Sequence, residues 1–161
     1  MKTSIKKLTI SAIIAALYAV LTLLLAPISF GAVQCRIAEC LCVLPIFTPY
    51  AIPGLFIGCL ISNIIGGMGI FDIVFGSLTT LIAAFFTYKF KKNIFIALFF
   101  PVILNALIVG AYLSFLMSES GFSLQGFLVI ALEVGLGQLV SCYGLGLPLA
   151  SYLKKSSVIK F

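Results

Sequence analysis

This chain contains no histidine, and only four of its 161 residues are acidic. Without histidine it lacks the most common general base and the most common metal ligand. It also has no GxxxxGKS/T phosphate-binding loop, no GxSxG nucleophile elbow and no HExxH zinc motif. These absences argue against an enzyme and against ATP binding in the usual way. A transport function would need an ion gradient, or ATPase subunits on other chains.

The cysteines do not form a metal-binding pattern. There are five, which is an odd number, and no two have CxxC spacing. A metal site would need histidine or carboxylate ligands beside them. We therefore expect neither a metal nor a cofactor, and we expect the cysteines to pack as small apolar residues. They are Cys35, Cys40, Cys42, Cys59 and Cys142.

Apolar residues dominate the chain. They make up 63% of the sequence, and the mean hydropathy is +1.30. A soluble domain of this size could not bury so much apolar surface. Runs of about 20 apolar residues instead match the ~30 Å hydrocarbon core of a bilayer. The sequence predicts an all-α integral membrane protein, with residues 1–161 forming a single domain in the lipid bilayer.

The lysines mark the predicted cytoplasmic side. Cytoplasmic loops of membrane proteins carry an excess of lysine and arginine, so we expect the lysine clusters and both termini in the cytoplasm. The net charge of +6 then belongs to these loops and not to a nucleic-acid-binding surface. The three clusters are Lys2, Lys6 and Lys7; Lys89, Lys91 and Lys92; and Lys154, Lys155 and Lys160.

Six transmembrane helices follow from the spacing of these clusters. Three apolar runs lie between the first two clusters, so one run must split if both clusters share a side. The segment Thr48–Gly54 contains two prolines and a glycine and divides the middle run into segments of about 14–16 residues. The apolar runs are residues 8–30, 37–66, 70–88, 94–117 and 123–153.

Few polar residues interrupt the apolar runs. Such residues are costly inside a membrane and usually face a cavity or a partner. The predicted topology places most of them in the outer half or near the midplane, which indicates a pocket that opens outward. The candidate ligand-binding residues are Gln34, Arg36, Glu39, Asn63, Asp72, Asn105 and Glu133.

Simpler structural explanations exist for several candidates. Arg36 and Glu39, spaced i, i+3, could neutralise each other. Asp72 could stabilise the N-terminus of the fourth helix, and Asn63 and Asn105 could bond between helices.

Glu133 is different because no basic residue lies near it in sequence. A functional role, or a pair with Arg36 across the pocket, is favoured for it. Gln138 is expected to be structural. The outer aromatic residues are expected to face lipid or pack internally and not to stack on a ligand: Phe30, Tyr112 and Phe122.

The first helix has a face of small residues. Ala12 and Ala16 have AxxxA spacing, and Ala15 and Ala19 repeat it. Small residues at this spacing allow another helix to approach closely, within the protein or in a partner.

Two motifs resemble the QueT family. They are Val33–Glu39, which reads VQCRIAE, and Phe71–Leu78, which reads FDIVFGSL. The resemblance runs from about residue 8 to residue 153, although Ala38-Glu39-Cys40 stands where Ser-Glu-Ala would be expected.

QueT proteins are substrate-binding S-components of energy-coupling-factor (ECF) transporters. The resemblance implies the six-helix S-component fold and a queuosine precursor as ligand, a deazaguanine base such as preQ0, preQ1 or queuine. The implied partners are a transmembrane T-component and two ABC-type ATPases. The implied docking surface for the T-component is Ala12, Ala16, Ala15 and Ala19.

A guanine-like edge carries N–H donors beside a carbonyl acceptor. We expect Glu133 or Glu39 to accept from these donors, and Asp72 to pair with a cationic aminomethyl substituent. The expected donors to the carbonyl are Asn63, Gln34 or Arg36. Two other classes stay open: a gradient-driven transporter with a proton-coupling carboxylate, Glu133 or Asp72, and a membrane protein without transport activity.

Overall fold

The computed structural model describes residues 2–30, 35–117 and 123–156, and within these ranges the secondary structure is helical, without strands. A single turn, Ala26–Ser29, follows the first helix. The prediction of an all-α chain is confirmed for this part of the sequence. We number the six main segments α1 (Lys2–Leu24), α2 (Ile37–Ile46), α3 (Ala51–Ile65), α4 (Gly69–Lys89), α5 (Ile94–Met117) and α6 (Leu124–Lys155).

Four of the segments, α1, α4, α5 and α6, are long and apolar enough to span a membrane. The other two, α2 and α3, are apolar but have only 10 and 15 residues. The turns of α2 are 3₁₀, which rise about 2.0 Å per residue and carry ten residues over about 20 Å. An α-helix of that length would span only about 15 Å. Because it has several apolar helices long enough to cross a bilayer, the chain is a multi-pass membrane protein. The count of six crossings stays a prediction.

The predicted split of the middle apolar run is confirmed. The helix α2 contains Pro45 and ends at Ile46, and α3 begins at Ala51 after a short turn at Pro49. Proline removes a backbone donor and disfavours the α conformation of the preceding residue. One continuous helix through this region is therefore interrupted where the sequence indicated.

The described lysines of the three clusters lie near one end of the bundle. Lys7 on α1 lies 5.4 Å from the ring of Tyr50, in the turn between α2 and α3. Phe47 in the same turn and Ile94 at the start of α5 both pack against the buried cluster that contains Ala150, near the end of α6. The position of this end in the cytoplasm stays a prediction.

The two alanine rows of α1 have different surroundings. A Cβ atom at Gly58 of α3 would lie 2.8 Å from the Ala15 carbonyl oxygen and 2.7 Å from Tyr18 Cβ, so the two backbones touch. Ala15 and Ala19 are accordingly buried. Ala12 and Ala16 are exposed on another side of α1.

Three of the long helices contain a π-helical stretch. These stretches are Asp72–Gly76 in α4, Asn105–Val109 in α5 and Val140–Leu145 in α6. A π-bulge rotates the residues that follow it, and such bulges are frequent at functional sites.

Candidate ligand-binding cavity

A small cavity lies among α2, α4, α5 and α6. Its volume is about 10 Å³, which is room for about one water molecule. Two valines and Gly76 form its apolar walls. Gly76 and Asn105 come from the π-helical stretches. The polar walls are Arg36, Asn105, Tyr112 and Gln138.

Arg36 is the only arginine of the chain and lies just before α2. It is only 8% exposed. Its Nη1 donates to Cys59 Sγ at 3.3 Å, and its guanidinium carbon lies 5.5 Å from the centre of the Phe30 ring. A thiol and an aromatic face are weak acceptors for a group with five N–H donors. The cavity therefore contains a buried cation that can bind an oxygen atom of a ligand.

Glu39 is fully buried but does not line the cavity. Its Oε1 accepts from the Tyr18 hydroxyl on α1, and its Oε2 accepts from Cys42 Sγ at 2.9 Å. No nitrogen of Arg36 lies within 4.0 Å of a Glu39 carboxylate oxygen, although both residues are in the described part of the chain. Direct neutralisation of Arg36 by Glu39, the simpler explanation from the sequence, does not occur in this structure.

Asp72 and Asn63 lie behind the cavity wall. The Tyr112 hydroxyl donates to Asp72 Oδ1 at 2.7 Å, and Asn63 Nδ2 donates to the Asp72 backbone oxygen at 2.9 Å. A Cβ atom at Gly76 would lie 3.3 Å from Asn63 Nδ2. Gly76, which has no side chain, therefore lies between this amide and the cavity. Asn63 Oδ1 is buried and has no hydrogen-bond partner among the described residues. Asn63 Oδ1 is thus a buried acceptor close to the cavity, and leaving it unpaired costs free energy.

Asn105 and Gln138 are buried carboxamides on the cavity wall. Asn105 Nδ2 donates to the Pro101 carbonyl oxygen of its own helix at 2.8 Å. Gln138 Oε1 accepts from Cys142 Sγ at 3.6 Å, which is a weak contact. Each carboxamide can both donate and accept, so the two can adapt to a ligand with either kind of group.

The structure thus brings some of the predicted residues together and leaves others apart. Arg36 and Asn105 line the cavity, with Asn63 and Asp72 beside it. Glu133 is half-buried on α6 and does not line the cavity. Gln34 lies outside the described residues, and so does the outer aromatic Phe122.

Five of the seven cavity residues were not predicted as ligand-binding from the sequence: Gly76, Val109, Tyr112, Val134 and Gln138. Gly76 is part of the FDIVFGSL motif, which was a usable signal. An aromatic residue near the outer end of a helix is indistinguishable in sequence from an interfacial aromatic, which hid Tyr112. Gln138 lies one α-helical turn after Val134, and this spacing places the two side chains on the same face of α6.

A second feature is an apolar groove between α1 and α3. Its volume is about 470 Å³. The exposed Ala12 and Ala16 form part of one wall, and Ile57, Ile61 and Ile65 of α3 form part of the other. Because the small alanines make this surface concave, the side chains of an apolar helix fit into it.

Comparisons with known proteins agree with these features. The family model described as QueT transporter matches residues 8–155. The queuosine precursor transporter QueT of Lactococcus lactis subsp. cremoris (strain MG1363) is 40% identical over 73 residues, which are 44% of this chain and 43% of that protein. No solved structure matches the chain. Because the family model covers most of the sequence, including the cavity residues, the chain belongs to the QueT transporter family.

Proposed function

We infer that this protein is the substrate-binding S-component of an ECF transporter, with six membrane crossings and both termini in the cytoplasm. It captures a queuosine precursor, a deazaguanine base, from outside the cell. It delivers the base inward when docked on a T-component with two ABC-type ATPases. The observation that carries this proposal is a small cavity lined by buried polar side chains inside an apolar bundle of the QueT transporter family. The name of the Lactococcus relative supports the choice of ligand.

The cavity walls suit a guanine-like base. Such a base has a carbonyl oxygen next to N–H donors on a flat edge. The Arg36 guanidinium is the donor for the carbonyl oxygen, and the carboxamides of Asn105 and Gln138 accept from the N–H groups. Asn63 Oδ1 provides a further acceptor. In the same proposal Asp72 is the counter-charge for a cationic aminomethyl substituent, and two residues make further contacts when the base is bound: Gln34 and Glu133. Glu39 does not contact the base, because both of its carboxylate oxygens accept hydrogen bonds within the protein.

The cavity must expand to accept a base. Its volume of about 10 Å³ is far below the roughly 300 Å³ at the lower end of small-molecule sites. The π-helical stretches of α4 and α5 are part of its wall, and their backbone hydrogen bonds can rearrange to the α pattern at modest cost. In our proposal the cavity widens by such a rearrangement when the base binds.

The groove between α1 and α3 is the proposed docking surface for the T-component. Of the four alanines predicted to dock, Ala12 and Ala16 are exposed and available to a partner helix. Ala15 and Ala19 line the floor of the groove and pack against α3. In this proposal the outer row contacts the T-component and the inner row maintains the fold.

An equilibrium titration of the purified protein with deazaguanine bases tests the proposal. We expect saturable binding by the wild-type protein, and weaker binding by Arg36→Gln, which keeps donors but loses the charge. Tyr143→Phe is the matched control, because the Tyr143 hydroxyl bonds the Phe95 carbonyl oxygen outside the cavity. Absence of wild-type binding to every deazaguanine base tested would contradict the assigned ligand.

Uptake into proteoliposomes separates this proposal from a gradient-driven transporter. An S-component takes up ligand only when the T-component, the ATPases and ATP are present. The alternative mechanism would use a buried carboxylate of the chain itself, and Asp72 at 3% exposure is the candidate. Uptake by the protein alone, driven by a proton gradient and abolished in Asp72→Asn, would establish that alternative.

A further inference from the structure

We propose that Tyr18 and Cys42 are positioning residues for the ligand site, because they hold Glu39 away from Arg36 and leave Arg36 free to bind the ligand. The inference rests on the proposed function for its binding readout. It starts from two opposite charges that are buried near each other and do not pair.

The positions of Arg36 and Glu39 make an ion pair easy to form. The Glu39 backbone N–H donates to the Arg36 carbonyl oxygen at 2.9 Å, so the two residues lie one 3₁₀ turn apart. Their side chains are 8% and 0% exposed. Opposite charges attract strongly in such a place because the local dielectric constant is low. Their separation by more than 4.0 Å therefore requires an opposing arrangement.

Glu39 is held by two donors, one on each carboxylate oxygen. The Tyr18 hydroxyl reaches Oε1 from α1, and Cys42 reaches Oε2 from the next turn of α2 at 2.9 Å. Tyr18 is fully buried, and its hydroxyl also interacts with the Arg36 guanidinium, so the same phenol contacts both charges. With both oxygens occupied, the carboxylate loses little by remaining apart from the guanidinium.

Arg36 is held on the opposite side by Cys59 of α3. Two N–H donors converge on the Cys59 sulfur: Arg36 Nη1 at 3.3 Å and Asn63 Nδ2 at 3.6 Å. The sulfur atom is the acceptor for both, which fixes the direction of the guanidinium. The remaining donors of Arg36 are then available to the cavity that it lines.

Removal of the Tyr18 hydroxyl should bring the Glu39 carboxylate and the Arg36 guanidinium together. In Tyr18→Phe one oxygen of Glu39 loses its donor, and an unpaired buried carboxylate is costly. The nearest strong donor is Arg36, one turn away. We expect the guanidinium to turn toward Glu39 and to withdraw from the cavity, so that the ligand loses a charge-assisted hydrogen bond.

The single arginine allows a direct test without ligand. Protein labelled with [15N]arginine gives one side-chain Nε–Hε resonance, that of Arg36. We expect Tyr18→Phe to shift this resonance and to slow its hydrogen exchange. In the double variant Tyr18→Phe with Glu39→Gln the resonance should return to its wild-type position, because a neutral amide does not attract the guanidinium. The matched control Tyr143→Phe removes a phenol elsewhere and should change nothing.

The wild-type protein and the same three variants are titrated with a deazaguanine base. Tyr18→Phe should bind about tenfold more weakly, the loss expected for one charge-assisted hydrogen bond, and Glu39→Gln in the Tyr18→Phe background should restore most of the affinity. A purely structural role of Tyr18 would not be rescued by a second change. Cys42→Ala, which removes the other donor to Glu39, provides a second route if Tyr18→Phe does not fold.

Two results would overturn the inference. One is an Arg36 resonance that is unchanged in both Tyr18→Phe and Cys42→Ala, or a shifted resonance that does not return to its wild-type position when Glu39→Gln is added to Tyr18→Phe. The other is a wild-type protein that binds the base and loses no affinity in either variant. If the resonance follows the expected cycle but the wild-type protein binds no deazaguanine base, the positioning role holds and the assigned ligand is wrong.

Discussion

Asp72 and Tyr112 are forty residues apart in sequence, and the Tyr112 hydroxyl donates to Asp72 Oδ1 at 2.7 Å. The bond joins α4 to α5 at the wall of the cavity. It satisfies one carboxylate oxygen of Asp72 and holds this side chain, in the first turn of α4, beside the site. In our proposal a cationic substituent of the ligand reaches this carboxylate after a small movement of the Tyr112 ring.

The first prediction concerns this charge. Asp72→Asn should weaken the binding of a base with a cationic aminomethyl group about ten- to a hundredfold, because one ionic hydrogen bond is lost. A base with a neutral substituent should lose much less. Calorimetry with the two ligands measures the difference, and Tyr112→Phe is the control that keeps the charge. Equal losses for both ligands would mean that Asp72 has only a structural role.

The second prediction concerns Gly76. A methyl group there would lie 3.3 Å from Asn63 Nδ2 and 3.7 Å from the Tyr112 hydroxyl oxygen. Gly76→Ala should narrow the cavity and reduce binding by about 1–3 kcal/mol, as overpacking does. Gly144→Ala on α6 is the matched control, because its nearest neighbour would be Val140 Cγ1 at 4.0 Å. Unchanged affinity in a folded Gly76→Ala protein would exclude this wall from the ligand site.

The third prediction separates the two alanine rows of α1. Ala12→Leu with Ala16→Leu fills the exposed side of the groove. The T-component should no longer co-purify and uptake should fail, with ligand affinity and thermal stability near wild type. Ala15→Leu should instead lower the thermal stability, because Ala15 packs against Gly58. A loss of ligand affinity in the Ala12 and Ala16 variant would refute the docking assignment.

The fourth prediction concerns Glu133, which lies half-buried beside the cavity residue Val134. If the expanded cavity reaches it, Glu133→Gln should cost about 1.5–3 kcal/mol of binding free energy. The loss of binding free energy in Glu133→Gln is compared with that in Gln138→Ala, which changes a residue that lines the cavity. Normal affinity in a folded Glu133→Gln protein would remove Glu133 from the site.

The fold class was predictable because hydropathy and proline placement act over long stretches of sequence. The run lengths indicated membrane helices, and Pro49 with Pro53 marked the start of α3. The 3₁₀ turns of α2 and the π-helical stretches were not predictable, because uniformly apolar sequence has little periodicity to distinguish them. They depend on packing between helices that are distant in sequence.

The candidate site was predictable only in part for the same reason. Arg36 and Asn105 were identified because polar groups are rare in the apolar runs. Their partners were not: Cys59, an apparently apolar residue, is the acceptor for Arg36, and Tyr18 is the donor to Glu39. Neither partner is within ten residues of the group that it contacts, so no local motif could indicate the pairing.

The last prediction tests the topology on which the outward pocket depends. The described lysines lie near one end of the bundle, and Met68, between α3 and α4, lies at the other, with its N–H bonded to the Asn63 carbonyl oxygen. On a background with the native cysteines replaced by serine, Tyr50→Cys and Phe90→Cys should react with a membrane-impermeant maleimide only from the cytoplasmic side. Met68→Cys should react from outside, because positive residues remain in the cytoplasm. External labelling of Phe90→Cys would show that the topology is inverted or that the number of crossings is not six. In an inverted topology the cavity beside Asp72 would open toward the cytoplasm.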